Sequence, residues 1–264
     1  MKTRQMAQNI RLSMRSSLLS LMLLVVFSQG VNGQKSMRDS SIALVMFSPQ
    51  FKVQLPGAEL ADRYGWSSSI GAQFTYKTKS NFLIGAEASF IFGTVVKEDS
   101  MLNYLLNSNG NIVDVNGFAG DVVLDQRAFD LQLSLSKYIL EVGPNPNCGF
   151  YAGLGIGYLQ HKIRIRDLAD KVPLLQGDYV KGYDRLTGGL AISERLGYRY
   201  FANNRRVNFY IELEAMQGLT RGLRSYQFDL RAPYTSRHFD ALYSLKIGWT
   251  FTMYKRAGDN FYFD

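Results

Sequence analysis

Apolar and polar side chains alternate with a period of two through the last part of the sequence. From Ala241 to Met253 every odd position is apolar, and the even positions from Ser244 to Thr252 are small or polar. This period is typical of a β-strand with one apolar and one polar face. The run is longer than most soluble strands and matches the roughly 9–11 tilted residues that cross a bilayer. The pattern therefore predicts a membrane-spanning strand.

The same alternation recurs along the chain and predicts eight strands. The predicted strands are 41–53, 67–77, 82–93, 128–138, 150–161, 188–200, 207–215 and 240–254. Within the first strand, Pro49 lacks the N–H that a ladder needs, so we expect it at a bulge or a strand end.

The connections between these strands alternate in length. The predicted long loops are 56–66, 95–126, 166–187 and 218–238. The predicted tight turns are 78–81, 142–148 and 202–206. An even strand number with long loops on one side is typical of bacterial outer-membrane barrels. The sequence predicts an all-β fold, an eight-stranded antiparallel up-and-down transmembrane β-barrel with a polar, filled interior and its short turns in the periplasm.

Aromatic residues gather at the ends of the strands that meet the short turns, as in an interfacial girdle. These residues are Tyr76, Phe82, Tyr138, Phe150, Tyr198, Phe209, Trp249 and Phe251. Over residues 41–254 the chain resembles the small eight-stranded outer-membrane barrels of the OmpA and OmpX type. It departs from them at its end, FYFD, where such barrels usually finish on an aromatic residue. Its loops and aromatic tail also look like those of uncharacterised barrels of Bacteroidota, a likeness that implies no activity.

The first 33 residues have the features of a secretory signal peptide. Four basic residues precede an apolar core at 18–27, and Val31 and Gly33 supply small residues at the −3 and −1 positions. The apolar core is too short for a spanning helix. We therefore predict a cleaved signal peptide at 1–33, a periplasmic lead at 34–40, the barrel at 41–254 and a periplasmic tail at 255–264.

Net charge and cysteine content argue against nucleic-acid binding and against a zinc site. Removal of the four basic residues in 1–33, where no acid lies, lowers the formal charge from +8 to +4. A mildly basic exported protein is not expected to bind nucleic acid. Cys148 is the single cysteine, and with two histidines the chain has too few ligands for a Cys/His zinc site. We predict no cofactor and no metal.

The polar face of the predicted strands carries charges of both signs. Eight strands enclose a lumen that side chains can fill, and an unpaired buried charge is very costly. We therefore predict a paired network that plugs the barrel, with a narrow gated pore or proton path as the alternative. The predicted network is Lys77, Glu87, Asp130, Arg195, Arg199, Glu212, Glu214 and Lys246.

Four arginines lie in or beside the last long loop, on the predicted outer side. They are Arg221, Arg224, Arg231 and Arg237. Arginine forks suit phosphate groups, so contact with lipopolysaccharide is predicted. The alternative is a solvated loop whose charge is balanced by Asp229 and Asp240.

The two histidines make an outer-membrane hydrolase the alternative to a non-enzymatic role. Outer-membrane hydrolases that resemble lipid A deacylases or omptin proteases combine His with Ser or Asp near the outer rim. His238 is flanked by Ser236 and Asp240, and His161 ends its predicted strand. Solvated surface histidines are the simpler interpretation, and we predict no enzymatic site.

The predicted function is therefore structural or interactive in the outer membrane. One form of it is an accessory subunit of a larger secretion or assembly complex, whose contacts lie in the long loops. The expected partners are outer-membrane lipid, lipopolysaccharide and other outer-membrane proteins. A soluble exported barrel of lipocalin type is a third class, and it requires a dry interior and a polar exterior.

Overall fold

The computed structural model describes residues 40–98, 100–203 and 207–253. The predicted signal peptide, the predicted lead up to residue 39, Tyr254 and the predicted tail lie outside the described residues. Among the residues described, the structure contains no helix with the length and apolarity needed to span a membrane.

The described chain is almost entirely β-strand. The strands are β1 Leu44–Ala58, β2 Ser67–Lys77, β3 Phe82–Gly93, β4 Val122–Leu140, β5 Gly149–Asp167, β6 Thr187–Phe201, β7 Asn208–Gly222, β8 Arg224–Gln227, β9 Ala232–Tyr234, β10 Arg237–Trp249 and β11 Phe251–Met253. A one-turn helix, α1, spans Glu59–Arg63, and short 3-10 helices span Ser100–Leu105, Pro173–Leu175 and Tyr179–Gly182.

Hydrogen bonding closes the sheet into a ring. Each strand from β1 to β6 pairs antiparallel with the next, β7 pairs with β10, and β1 closes the ring by pairing with both β10 and β11. β10 and β11 form one crossing, interrupted at Thr250. The predicted eight-stranded antiparallel barrel is confirmed. Its turn end carries the short connections, and its loop end carries the long ones, including the separate β8–β9 hairpin.

Pro49 lies inside β1, not at a bulge or a strand end, so that prediction is wrong. It pairs with Ala72 of β2. On the other side, the ladder stops after Phe47 pairs with β11 and resumes where Gln50 pairs with β10. The missing N–H of Pro49 therefore falls in this two-residue gap of the ladder, next to the interruption at Thr250.

Several strands extend further at the loop end than the alternation predicts. β4 begins at Val122 and β5 ends at Asp167, six residues beyond the predicted limits in each case. The added segments carry charged residues such as Arg127, Lys162 and Arg164. Apolar alternation marks the part of a strand that faces lipid, whereas backbone pairing continues into water.

The outside of the ring is apolar. Outward positions along the crossings are exposed aliphatic residues, including Leu133 on β4, Leu154 on β5 and Leu190 on β6. An exposed apolar band of this extent is typical of a surface that contacts lipid. It excludes the soluble lipocalin class, which requires a polar exterior.

The inside of the ring has three layers. At the loop end, the long loops fold inward and bury apolar residues such as Leu60, Met101 and Leu175 against the strands. At the turn end, Met46, Phe201 and their neighbours form a second apolar cluster. Charged side chains fill the middle. The predicted polar interior is confirmed for the middle of the barrel, while apolar clusters occupy both ends.

Candidate functional sites in the barrel centre and at the outer rim

Seven charged side chains from six strands meet at mid-height in the lumen. This central ion layer consists of Lys52, Glu87, Asp130, Arg195, Glu212, Glu214 and Lys246. None of these side chains is more than 2% exposed. Each lies on the inward phase of its strand, and the stagger between neighbouring strands brings all of them to one level.

Each cation of the central ion layer bridges more than one carboxylate. Lys246 Nζ lies 2.8 Å from Glu87, 2.7 Å from Glu212 and 2.8 Å from Glu214. Lys52 Nζ lies 2.6 Å from Glu87 and 3.3 Å from Glu214. The cations therefore link strands on opposite sides of the ring through shared carboxylates.

Arg195 and Asp130 complete the layer. Arg195 contacts Glu87 at 3.0 Å and Glu214 at 3.1 Å. Asp130 lies 3.5 Å from Lys52 and accepts a hydrogen bond from Gln132 at 2.9 Å. Removing charges from water is costly, and pairing with further hydrogen bonds is what offsets that cost. The layer thus fills the cross-section with groups that are held by one another.

Two predicted members of the network lie elsewhere in the lumen. Lys77 is near the turn end, where it donates to Ser41 at 2.8 Å and Asn147 at 3.1 Å. The Arg199 guanidinium lies over the Tyr210 ring, 4.6 Å from its centroid, and over the Tyr151 ring. Both are buried as predicted, but their partners are neutral because the carboxylates lie at another level.

Lys52 was not predicted as a member of the layer. The sequence pattern was sufficient to predict that Lys52 points inward, because it shares the polar phase of β1 with Ser48 and Gln50. The inward glycines of β5 leave room for Gln132 and small hydroxyls, since a Cβ on Gly157 would lie 2.9 Å from Gln132 Cγ. Gln132 in turn accepts from Arg195 at 2.6 Å.

A second charged cluster lies at the loop end. This rim cluster consists of Glu59, Arg63, Glu98, Arg185, Asp229, Tyr234, Ser236 and His238. Arg185 donates to Glu98 at 2.8 Å and to Asp229 at 3.0 Å. Burial lowers the pKa of Arg185, but the hydrogen bonds to Asp229 and Glu98 outweigh it and raise the pKa above its ordinary value.

His238 contacts a hydroxyl on one ring nitrogen and a carboxylate on the other. Ser236 Oγ lies 2.8 Å from His238 Nε2, and Glu59 Oε2 lies 2.6 Å from Nδ1. The hydrogen bonds to Glu59, first from His238 and then from the Phe239 N–H, hold the pKa of that carboxyl below its ordinary range. Ser236 was singled out in the sequence, while Glu59 was not, since it lies 179 positions from His238.

His161 is buried, contrary to its interpretation as a solvated surface group. Its Nε2 lies 3.0 Å from Asp240, and its Nδ1 lies 3.3 Å from the Tyr64 hydroxyl. Asp240 therefore faces His161 and not His238, because Asp240 points into the barrel and also accepts from Thr220 at 2.5 Å.

The four predicted lipopolysaccharide-contacting arginines have different environments. Arg224 donates to Asp184 at 2.8 Å, and Arg231 lies over the Tyr104 ring. Arg221 and Arg237 are exposed and sit directly opposite each other on β7 and β10. The structure thus brings two of the four together. Within the described residues, no group of three or more His, Cys, Asp or Glu side chains is placed to hold a metal ion.

The closed antiparallel ring, apolar outside and charged inside, defines a membrane-spanning eight-stranded β-barrel of the type found in small outer-membrane proteins. Two solved structures of this type are similar to it. Neisserial surface protein A is 10% identical, with a TM-score of 0.46 over 78% of this chain and 95% of that chain. Ail, the attachment invasion locus protein of Yersinia pestis, solved with the heparin analogue sucrose octasulfate, is 11% identical, with a TM-score of 0.42 over 80% of this chain and 99% of that chain.

The sequence itself has no match among family models or curated proteins. The closed ring of eight antiparallel crossings by itself confirms the predicted fold of a small outer-membrane barrel. The likeness to barrels of Bacteroidota finds no support.

Proposed function

We propose that this chain is an outer-membrane barrel with a closed lumen and a structural or interactive role in the envelope. The central ion layer is the observation that carries the proposal. It fills the lumen between two buried apolar clusters. An ion that crosses the barrel has to break shared ion pairs that are shielded from water, which is costly. The narrow-pore alternative requires a path that this layer occupies.

Conductance in planar lipid bilayers tests the closed lumen. We expect the purified barrel to give no stepwise current. A variant with Lys52, Arg195 and Lys246 all replaced by serine should conduct, provided that its circular dichroism and its heat-modifiable migration show a folded barrel. Steady single-channel currents from the unaltered protein would contradict the proposal.

The outer rim suits phosphate groups at the membrane surface. Arg221 and Arg237 are exposed, face each other across the β7–β10 ladder, and lie two residues from the lipid-facing Leu219 and Phe239, on the loop-end side. Like charges directly opposite each other are unfavourable, and a shared anion relieves this repulsion. We infer that this pair contacts lipopolysaccharide phosphates, whereas Arg224 and Arg231 are engaged within the chain.

Lipopolysaccharide binding in micelles at several salt concentrations tests this pair. We expect Arg221→Gln/Arg237→Gln to weaken binding several-fold and to reduce its salt dependence. The matched control, Lys137→Gln/Arg164→Gln, removes the same charge from other exposed positions and should change little. Equal losses in both variants would point to net charge alone and would exclude a site at the pair.

A lipid-facing polar pair supports an accessory-subunit role. Gln217 Nε2 donates to Glu194 Oε2 at 2.8 Å on the outside of the barrel. Glu194 precedes Arg195 of the central ion layer, so it lies near mid-depth. A carboxylate facing lipid is costly and marks a functional position. Beside it, an apolar groove of about 660 Å³ is lined by Val53, Leu213 and neighbouring residues.

We infer that a membrane-spanning segment of another outer-membrane protein fills this groove and donates a hydrogen bond to Glu194. A photo-crosslinker at Leu196, in the groove, should capture one defined partner in intact membranes. The same group at Leu133, on β4, should not. Loss of the Leu196 product in a Glu194→Leu background would support the polar contact, and identical products from both positions would contradict the groove.

A further inference from the structure

Ser236, His238 and Glu59 form a connected series at the loop end. Ser236 Oγ, His238 Nε2, His238 Nδ1 and Glu59 Oε2 follow one another with gaps of 2.8 Å and 2.6 Å. We propose that this series is a serine nucleophile site that cleaves carboxylic esters at the outer face of the membrane. The proposal goes beyond the structural role above and rests on different residues.

The carboxylate of Glu59 sets the tautomer of His238. An ionised carboxylate accepts hydrogen bonds and cannot donate them, so Nδ1 carries the proton. In that tautomer of the neutral ring, Nε2 is the acceptor and faces the Ser236 hydroxyl, which donates to it. This is the arrangement in which a histidine takes the proton of a serine nucleophile while a carboxylate holds the ring.

Glu59 is itself held in place. Its second oxygen, Oε1, accepts the backbone N–H of Phe239 at 3.1 Å, one residue after His238. Glu59 begins α1, directly after Ala58, which pairs with Asp240 in the β1–β10 ladder. The acid and the base are therefore fixed by adjacent closing strands of the barrel and not by a loose loop.

Two hydrogen-bond donors, Arg63 and Tyr234, lie beside the His238 ring. Arg63 Nη2 is 3.0 Å from His238 Nε2 and 3.3 Å from Nδ1, so the guanidinium lies over the imidazole, and the Tyr234 hydroxyl is 3.1 Å from Nε2. Arg63 is anchored by its bond to Thr187 at 3.1 Å. When a substrate carbonyl enters, these two donors can turn to its oxygen and stabilise the developing negative charge.

A second histidine–carboxylate pair, His161 and Asp240, differs from His238 and Glu59 in its access to solvent. His161 and Asp240 are both 1% exposed, and the hydroxyls beside them belong to buried residues. A substrate cannot reach that pair. By contrast, Ser236 is exposed, and the side chains of His238 and Glu59 are 11% and 49% exposed. The open pair is therefore suited to chemistry, whereas the buried pair is suited to packing.

The reaction balances with water as the only co-reactant. Ser236 Oγ attacks the ester carbonyl, and its proton passes to His238 Nε2. The carbon–oxygen bond to the alcohol breaks, and the alcohol takes that proton and leaves. Water then attacks the acyl-serine with His238 as the base, which releases a carboxylic acid and restores the hydroxyl.

The ester can come from two sources, a lipid of the outer leaflet or a soluble molecule. The site opens at the loop end, and the neighbouring Arg237 and Phe239 are exposed toward the membrane side of the rim. Two assay arms distinguish the sources. One arm follows nitrophenol release from p-nitrophenyl butyrate, and the other follows fatty acid release from lipopolysaccharide and phospholipid in mixed micelles.

Active-site labelling is the decisive experiment. The folded barrel in detergent is treated with a fluorophosphonate, and the labelled peptide is identified by mass spectrometry. We expect label on Ser236, none after Ser236→Ala, and a loss of about 100-fold or more in labelling rate after His238→Gln. Glu59→Gln should slow labelling by about tenfold or more, since the ring loses its orienting carboxylate.

The control is Ser225→Ala, which removes another exposed serine hydroxyl of the outer loop and should leave labelling unchanged. Ser236→Ala is a small change at an exposed position, so it should retain the fold. An unlabelled folded wild-type protein, or label that persists after Ser236→Ala, would overturn the proposal. The conductance and lipopolysaccharide measurements do not depend on Ser236, so the two proposals can fail separately.

Discussion

The central ion layer and the rim cluster use the same side-chain chemistry in different surroundings. In the centre, lysines and an arginine share carboxylates that water does not reach. At the rim, Arg185 is nearly buried, but Glu98 is 21% and Glu59 49% exposed. Charges without water have to be matched by one another and therefore close the lumen. Charges with partial access to water can exchange partners and therefore suit binding or chemistry.

Removal of a central cation should have the largest effect. Lys246→Met leaves Glu87, Glu212 and Glu214 short of a shared partner, so we expect a loss of about 3–5 kcal/mol in the free energy of unfolding. Lys162→Met is the matched control, because Lys162 is 45% exposed and lies 3.9 Å from Asp184. It should cost about 1 kcal/mol or less. Urea titration in detergent micelles measures the free energy of unfolding of both variants. Equal losses of stability would contradict the difference between the central ion layer and the rim cluster.

Removal of a rim cation should have an intermediate effect. Arg185→Gln leaves Glu98 and Asp229 without their bridging guanidinium, and the partial access of these carboxylates to water limits the cost to about 1–2 kcal/mol. We expect faster amide exchange in the loop that carries Asp229, while β3 and β6 stay protected. Arg231→Gln, an exposed arginine in the same loop, is the control. Exchange that spreads through the strands would mean that rim and centre unfold together.

Acidification should loosen the rim and leave the centre closed. The pKa of Glu59 is lower in the folded protein than its ordinary value, so its contribution is present above that value and is lost as the pH falls through the folded pKa. Between about pH 5 and pH 3 we expect a falling protection factor for the Phe239 amide, which Glu59 binds, when its exchange rate is compared with the intrinsic rate at the same pH. Glu59→Gln should abolish this dependence. A Phe239 protection factor that does not change with pH would show that Glu59 does not hold β10.

The last and smallest predicted effect concerns the reactivity of Cys148 in the apolar cluster at the turn end. Burial raises the pKa of the Cys148 thiol, and the thiol also contacts the backbone of Phe201 at 3.2 Å. The reactive form is the thiolate, so alkylation by iodoacetamide at neutral pH should be much slower in the folded barrel than in urea. Rapid modification of the folded protein would show that the turn-end cluster opens to water.

The number of strands, and which side chains of each strand face the lumen, could be predicted because both follow from the alternation of apolar and polar residues within each strand. Lys246 and Glu87 both point into the lumen since each falls on the inward phase of its own strand. Which charges meet could not be predicted, because that depends on the stagger between neighbouring strands. Lys77 and Arg199 share the inward phase with the layer yet lie nearer the turn end.

The rim was less predictable than the barrel. Glu59 and His238 come together because β1 and β10 close the ring, so the longest separations in the chain become neighbours. The predicted Asp240 is close in sequence, but strand alternation turns it toward His161. Local sequence thus identifies Ser236 and His238, and only ring closure supplies their carboxylate.

The orientation of the strands toward lipid is the central claim, and nitroxide scanning of β4 tests it most directly. In a Cys148→Ser background, single labels at Leu131, Leu133 and Leu135 face outward, and labels at Ser134 and Ser136 face the lumen. In lipid bilayers we predict that collisions with dissolved oxygen alternate with a period of two and are high at the leucines. Equal accessibility at all five positions, or high accessibility at the serines, would contradict the account.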